Sequence, residues 1–271
     1  MQSAITVSLV PQAVRGPFVF HGNFADSARV ASRIGFDAIE IFPPFADALN
    51  TAETQSVLAD CGLSLAALGT GAGWLVHRRS LAHPDHQARS EAIDFVRRIM
   101  DVASEFHAPA IIGSMQGKSG DGVTLDQARG LLRESLEALD AHAAASNGKL
   151  LYEPLNRYET DQCNTLEQGA AMIRDLPNVR LLADWFHMNI EEADMAQALR
   201  QFGSAIGHIH FADTNRRAVG LGHLDAQPLI QTLRQIGYTG YLSAEVFPYP
   251  TSEEAARQTA DAYIKLVKTD S

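Results

Sequence analysis

The chain has 271 residues, of which 46% are hydrophobic and 20% are charged. This composition supports a sizeable core and excludes a disordered or fibrous protein. Lys and Arg total 22 against 32 Asp and Glu, a formal charge of −10 that argues against nucleic acid or an anionic membrane as partner. The sequence shows no disulfide framework, signal peptide or membrane-spanning apolar stretch. We therefore expect a soluble, cytoplasmic protein.

Short runs rich in Val, Ile and Leu alternate with longer runs of helical periodicity along the chain. The predicted strands are Ala4–Val10, Ala38–Phe42, Ser64–Thr70, Ala108–Ser114, Lys149–Leu155, Val179–Trp185, Ile206–Asp213 and Tyr241–Phe247. The predicted helices are Asp26–Ile34, Glu91–Phe106, Thr124–Ser146, Glu167–Leu176, Glu192–Phe202, Pro228–Ile236 and Glu253–Val267. Several strands are apolar on both faces, which is typical of a parallel sheet covered by helices.

This alternation over residues 1–271 predicts a single-domain (β/α)8 TIM barrel. The alternative is a doubly wound sheet, which normally carries a glycine-rich phosphate-binding turn after its first strand. Here the first predicted strand continues into Pro11 and Gln12, with no such turn. The barrel is therefore the favoured fold.

Four consecutive predicted strands end at an ionisable residue: Glu153, Asp184, His210 and Glu245. Because active sites of TIM barrels lie at the C-terminal ends of the strands, we expect these side chains to converge. An isolated charge there is costly to bury, whereas a shared cation removes that cost. Three carboxylates and one imidazole favour Mn²⁺, with Mg²⁺, Co²⁺ or Zn²⁺ as alternatives. Strand alternation points His208 inward as well, where it supports His210 or packs below it.

A second set of polar residues follows the predicted ligands in the loops above the strands, where a substrate would bind. These residues are Glu159, His187 and Arg216. Several cationic residues also lie on predicted loops at this end of the barrel. Such side chains bind carboxylates and phosphates, so an anionic sugar is one possible substrate. The cationic residues are Arg78, Arg79, Lys118, Arg216 and Arg217.

The segments Glu153–Glu159, Asp184–Glu192 and His208–Arg217 resemble the sugar isomerase/epimerase barrels related to xylose isomerase. Within this family the chain is most similar to the ketose 3-epimerase group, which includes the D-tagatose and D-psicose 3-epimerases. In that group it most resembles the 5-keto-L-gluconate epimerases. This last similarity adds Leu68–Gly71, Ser80–Pro84 and Gly220–His223.

The resemblance implies that the four strand-end residues bind a divalent metal and that Glu153 and Glu245 are the two catalytic carboxylates. It also implies that Glu159, His187 and Arg216 bind substrate. The implied reaction inverts C3 of a ketose or keto-sugar acid, such as 5-keto-L-gluconate or D-tagaturonate, through a cis-enediolate. A homodimer or homotetramer is expected by analogy.

The substrate and reaction class have alternatives. The segment Ser114–Lys118 lacks the aromatic residues expected of ketohexose enzymes, which favours a more polar or anionic sugar. A 3-epimerase of neutral ketoses and an aldose–ketose isomerase of the hydroxypyruvate isomerase type stay open. An inosose-type dehydratase shares the barrel, and the net charge disfavours an abasic-site endonuclease.

Overall fold

Nine strands form one parallel sheet in the computed structural model, which describes residues 1–120 and 122–269. They are β1 Gln2–Ser8, β2 Phe20–His21, β3 Ala38–Phe42, β4 Ser64–Gly69, β5 Ala110–Ile112, β6 Leu150–Tyr152, β7 Val179–Asp184, β8 Ile206–His210 and β9 Tyr241–Ala244. The strands from β3 to β9 follow β1 in chain order, and β9 pairs back onto β1. The sheet is therefore closed, which confirms the predicted (β/α)8 TIM barrel.

The extra strand, β2, was not predicted. It pairs with Val7 and Ser8 at the end of β1, beyond the Gln2–Ile5 segment that pairs with β9. Two residues are too short to show the alternation by which strands are recognised in a sequence. This strand returns the loop after β1 to the rim of the barrel.

Helices surround the barrel and connect its strands. They are α1 Phe24–Ile34, α2 Thr51–Cys61, α3 Ala72–Leu75, α4 His86–Ser104, α5 Leu125–Ser146, α6 Leu166–Met172, α7 Trp185–Glu191, α8 Met195–Phe202, α9 Gln227–Gln235 and α10 Ser252–Tyr263. Thr124 and Gln127 form a capping box at the start of α5. Within the described residues, no helix is long and apolar enough to cross a membrane.

Three helices were not predicted, and α4 begins five residues before its predicted start at Glu91. Helix α2 buries only Thr54 and Leu58, so its sequence carries little apolar periodicity. Helices α3 and α7 are short, and α7 begins at Trp185, which was assigned to the preceding strand. Helix α4 begins at His86, because the side chain of Asp85 accepts a hydrogen bond from the amide of Ala88 at 2.8 Å.

The strands divide the core into two layers, since successive side chains point to opposite faces. Outward side chains pack against the helices in one large apolar cluster. Inward side chains from four neighbouring strands form a separate small cluster: Ala67, Ile111, Leu151 and Leu182. Two residues beyond Leu151 and Leu182, the same inward face carries Glu153 and Asp184. The apolar filling of the barrel thus supports an ionisable layer at its C-terminal end.

Candidate metal and substrate site

The four predicted metal ligands converge at the C-terminal mouth of the barrel. Glu153 follows β6, Asp184 ends β7, His210 ends β8, and Glu245 follows β9. All four are buried, and each offers one nitrogen or oxygen atom within 4.8 Å of the others. The structure therefore brings together residues that are scattered widely along the chain.

The Nδ1 atom of His210 lies at the centre of this group. It is 3.2 Å from Asp184 Oδ2, 3.3 Å from Glu153 Oε1 and 3.7 Å from Glu245 Oε2. A cation about 2.1 Å from octahedral ligands places adjacent ligand atoms about 3.0 Å apart and opposite ones about 4.2 Å apart. Glu153 Oε1 is buried without a hydrogen-bond partner among the described residues. The donor set and its spacing therefore fit a divalent cation.

The two oxygens of Asp184 have different partners. Oδ1 accepts hydrogen bonds from the amides of Phe186 at 2.6 Å and His187 at 3.2 Å, which caps α7. Oδ2 faces His210. The start of the helix thus fixes the orientation of this carboxylate toward the site.

The segment after β5 supports Glu153. The side chain of Gln116 is fully buried, donates to the carbonyl of Glu153 at 3.0 Å and accepts from the hydroxyl of Tyr152 at 2.7 Å. A Cβ atom at Gly113 would lie 2.5 Å from Glu153 Oε2. The carboxylate therefore occupies space that only glycine leaves open.

Two of the predicted substrate-binding residues lie beside the ligands. The amide of Asn156 donates to Nδ1 of His187 at 3.2 Å, so the proton of a neutral imidazole is on Nε2. Nε2 lies 3.8 Å from Glu153 Oε1 and has no hydrogen-bond partner in the described residues. Burial lowers the pKa of His187, in keeping with a neutral ring. The Nε2 atom of His187 is therefore a donor available to a substrate oxygen. Glu159 is held by the same asparagine, because its carboxylate accepts from the Asn156 side-chain amide at 3.0 Å.

Arg216, the third predicted substrate residue, is held over the carboxylates by its loop. Its guanidinium donates to Glu245 and lies 3.8 Å from Asp184 Oδ2. Its backbone has a φ of 57°, in the left-handed region that disfavours most side chains. The buried carboxylate of Asp213 accepts from the amides of Thr214, Gly220 and Leu224, and this ties the loop into that shape.

Burial and the neighbouring side chains shift the pKa values of the carboxylates in opposite directions. Burial raises the pKa of Glu153 to about 8, and it also raises the pKa of Glu245. For Asp184, burial acts in the same sense, but interactions with His187, His210 and Arg216 outweigh it and lower the pKa. A divalent cation would therefore displace protons from this group as it binds.

Glu40 also belongs to this site, although it was not predicted from the sequence. Its side chain is fully buried on the inner face of β3, with Oε1 3.1 Å from His210 Nε2 and Oε2 2.8 Å from His208 Nε2. The available signal was a carboxylate in the middle of an otherwise apolar strand, Ala38–Phe42. The expectation that His208 points inward agrees with this contact.

A cavity of about 410 Å³ opens above the ligands. Its polar side carries Glu153, Glu159, His187, Arg216 and Glu245. The end of β3 and the segments after β1 and β4 supply most of the apolar lining. That lining includes Val10, Phe18, Phe42, Trp74 and Leu75.

The predicted cluster of loop cations does not form. Of those cations, only Arg216 lines the cavity in the described structure. Arg78 lies over the ring of Trp74 at 5.2 Å, and Arg217 over the ring of Tyr249 at 3.7 Å. The direction of a loop side chain is not encoded in residue spacing, which explains the error. Arg15, which was not predicted, does line the cavity.

The sequence profile described as xylose isomerase-like TIM barrel matches residues 28–266. The chain belongs to this family. It is 30% identical over 237 residues to 3-dehydro-D-guloside 4-epimerase of Escherichia coli (strain K12), covering 83% of this chain and 88% of the relative. It is 29% identical to D-psicose 3-epimerase of Agrobacterium fabrum (strain C58), covering 80% and 76%.

Solved structures agree with the family assignment. The crystal structure of 3-keto-D-glucoside 4-epimerase from E. coli superposes with a TM-score of 0.79 at 25% identity, covering 98% of this chain and 99% of the other. D-allulose 3-epimerase from Methylomonas sp. shares the fold with a TM-score of 0.80 at 24% identity, with the same coverage. The prediction of an isomerase-class enzyme in this family is confirmed, and the general reaction of the relatives is epimerisation of sugars.

Proposed function

We propose that this protein is a divalent-metal-dependent epimerase that inverts the carbon next to the carbonyl of a ketose or keto-sugar acid. That carbon is C3 when the carbonyl is C2, and the reaction passes through a cis-enediolate. The observation that carries the proposal is the convergence of Glu153, Asp184, His210 and Glu245 within 4.8 Å of one another. The oxygen-rich donor set favours Mn²⁺ as the cation.

The reaction needs a proton removed from one face of the substrate carbon and another returned to the opposite face. Glu153 and Glu245 come from β6 and β9 and flank Asp184 and His210 on β7 and β8. They can therefore act as acid and base from the two sides of the cavity.

The other polar side chains bind the reacting end of the sugar. When bound, a divalent cation supplies electrostatic stabilisation for negative charge on two neighbouring substrate oxygens. His187 donates from Nε2 to the carbonyl end, and Arg216 neutralises charge that develops beside it. Glu159, held by Asn156, accepts a hydrogen bond from a substrate hydroxyl.

The rest of the cavity bears on the substrate. Arg15 is a cation available to a carboxylate, which favours a keto-sugar acid such as 5-keto-L-gluconate or D-tagaturonate. A second candidate is a keto-glycoside, inverted at the carbon beside its ring carbonyl. Two observations favour this candidate. One relative is named for a guloside, and the apolar wall formed by Phe18, Trp74 and Leu75 suits an aglycone.

The test uses the Mn²⁺-loaded protein in D₂O, with NMR detection of deuterium in the sugar. The panel contains keto-uronates, D-psicose, D-tagatose, a 3-keto-glycoside and hydroxypyruvate. We expect deuterium at the inverting carbon and appearance of the epimer, with neither after chelation. Formation of an aldose with exchange at C1 or C2 would favour the isomerase alternative. Full activity of chelated protein, or no exchange into any sugar, would refute the proposal.

A further inference from the structure

A second cluster of ionisable side chains lies in the barrel interior: Glu40, His208 and His210. All three are buried, and His210 belongs to this cluster as well as to the ligand group. Glu40 reaches the two histidines through the interior, since β9 and β1 lie between β8 and β3 around the sheet. The proposed proton-transfer mechanism does not involve Glu40, so its buried position calls for another role.

The geometry is that of a hydrogen-bonded carboxylate. A buried carboxylate is stable only when its oxygens are paired. Here each oxygen has its own imidazole: His208 Nε2 at 2.8 Å from Oε2, and His210 Nε2 at 3.1 Å from Oε1. These two hydrogen bonds therefore satisfy both oxygens of Glu40 without an ion.

The two nitrogens of His210 therefore have different tasks. Nε2 donates to Glu40, while Nδ1 faces Asp184, Glu153 and Glu245. A proton fixed on one nitrogen of a neutral imidazole leaves the lone pair on the other. The hydrogen bond to Glu40 thus selects the tautomer and the ring orientation that a metal ligand needs.

We propose that Glu40 is a positioning residue that holds His210 with Nδ1 directed at the bound cation, and that His208 fixes Glu40 in that role. This inference rests on the proposed metal-dependent function. Replacing Glu40 by Gln keeps the shape but gives one position of the carboxylate an NH₂ donor. That donor would need a lone pair on the imidazole nitrogen that it faces. If it faces His210, the proton must move to Nδ1 of His210; if it faces His208, the hydrogen bond from His208 to residue 40 is lost.

The experiment measures Mn²⁺ affinity by isothermal titration calorimetry on the metal-depleted full chain, with the Co²⁺ absorption spectrum as a second readout. We expect Glu40→Gln to weaken Mn²⁺ binding by about 10- to 100-fold and to change the Co²⁺ spectrum. The matched control is Asp37→Asn, a carboxylate-to-amide change just before the same strand, where the Asp37 carboxylate accepts from the amide and the hydroxyl of Ser3. Its Mn²⁺ affinity should equal that of the wild type.

A pair of variants at His208 tests the same chain of contacts if Glu40→Gln does not fold. His208→Gln keeps a donor for Glu40 and should retain affinity within about threefold, whereas His208→Leu removes the donor and should weaken binding by about tenfold. Equal affinity in this pair, unchanged affinity in folded Glu40→Gln, or two Mn²⁺ ions per wild-type chain would overturn the inference. A wild-type chain that binds no Mn²⁺ would refute the proposed function instead.

Discussion

Substitution of Gly113 by alanine tests how closely the site depends on the placement of Glu153. The added Cβ would lie 2.5 Å from Glu153 Oε2, whereas ordinary contact begins at 3.4 Å. The carboxylate must therefore retreat by about 0.9 Å to make room for a side chain at position 113. A displacement of about 1 Å in a catalytic group costs about 100-fold in rate, equivalent to about 2.7 kcal/mol of transition-state stabilisation.

The assay compares kcat and the thermal midpoint of Gly113→Ala with those of Gly130→Ala. Gly130 lies in α5, and a Cβ there meets nothing within 4 Å. Gly130→Ala should keep wild-type turnover and gain a little stability, because alanine favours a helix over glycine. Gly113→Ala should remain folded and lose about 100-fold in kcat. Wild-type turnover in Gly113→Ala would refute the packing argument.

Three further predictions follow from the same geometry. Glu153→Gln and Glu245→Gln should each lower turnover at least about 10³-fold, because each removes an acid/base group and a cation ligand; near-normal epimerisation by either variant would contradict the two-carboxylate mechanism. Added Mn²⁺ should raise the melting temperature more at about pH 8.5 than at about pH 6.5. Below its pKa of about 8, the Glu153 carboxyl holds a proton that the cation must displace. An increase in melting temperature that does not depend on pH would show that no such proton is released. Arg15→Gln should raise KM for keto-uronates by about tenfold and leave KM for neutral ketoses unchanged, since only the carboxylate substrate uses that cation; equal effects on both sugar classes would exclude this contact.

The ligand group was predictable because it follows from strand periodicity. Once Leu151 and Leu182 are assigned to the inner face of their strands, Glu153 and Asp184 must share that face two residues later. The C-terminal ends of parallel strands meet at one rim, so the four residues could be placed together without coordinates.

Glu40 could not be placed in the same way. It lies 168 positions from His208 in the sequence and contacts it only because the sheet closes. A single carboxylate in an apolar strand signals an unusual position, but it does not identify the partner. The stacking of Arg78 on Trp74 illustrates the same limit for loops, where the path of the backbone decides which cations face the cavity.

The most direct test of the metal site is the anomalous difference map of a crystal soaked in Mn²⁺. We expect one strong peak per chain, about 2.1–2.3 Å from Glu153, Asp184, Glu245 and the Nδ1 atom of His210. A map without a peak there, or with the ion bound to His210 through Nε2, would contradict the account.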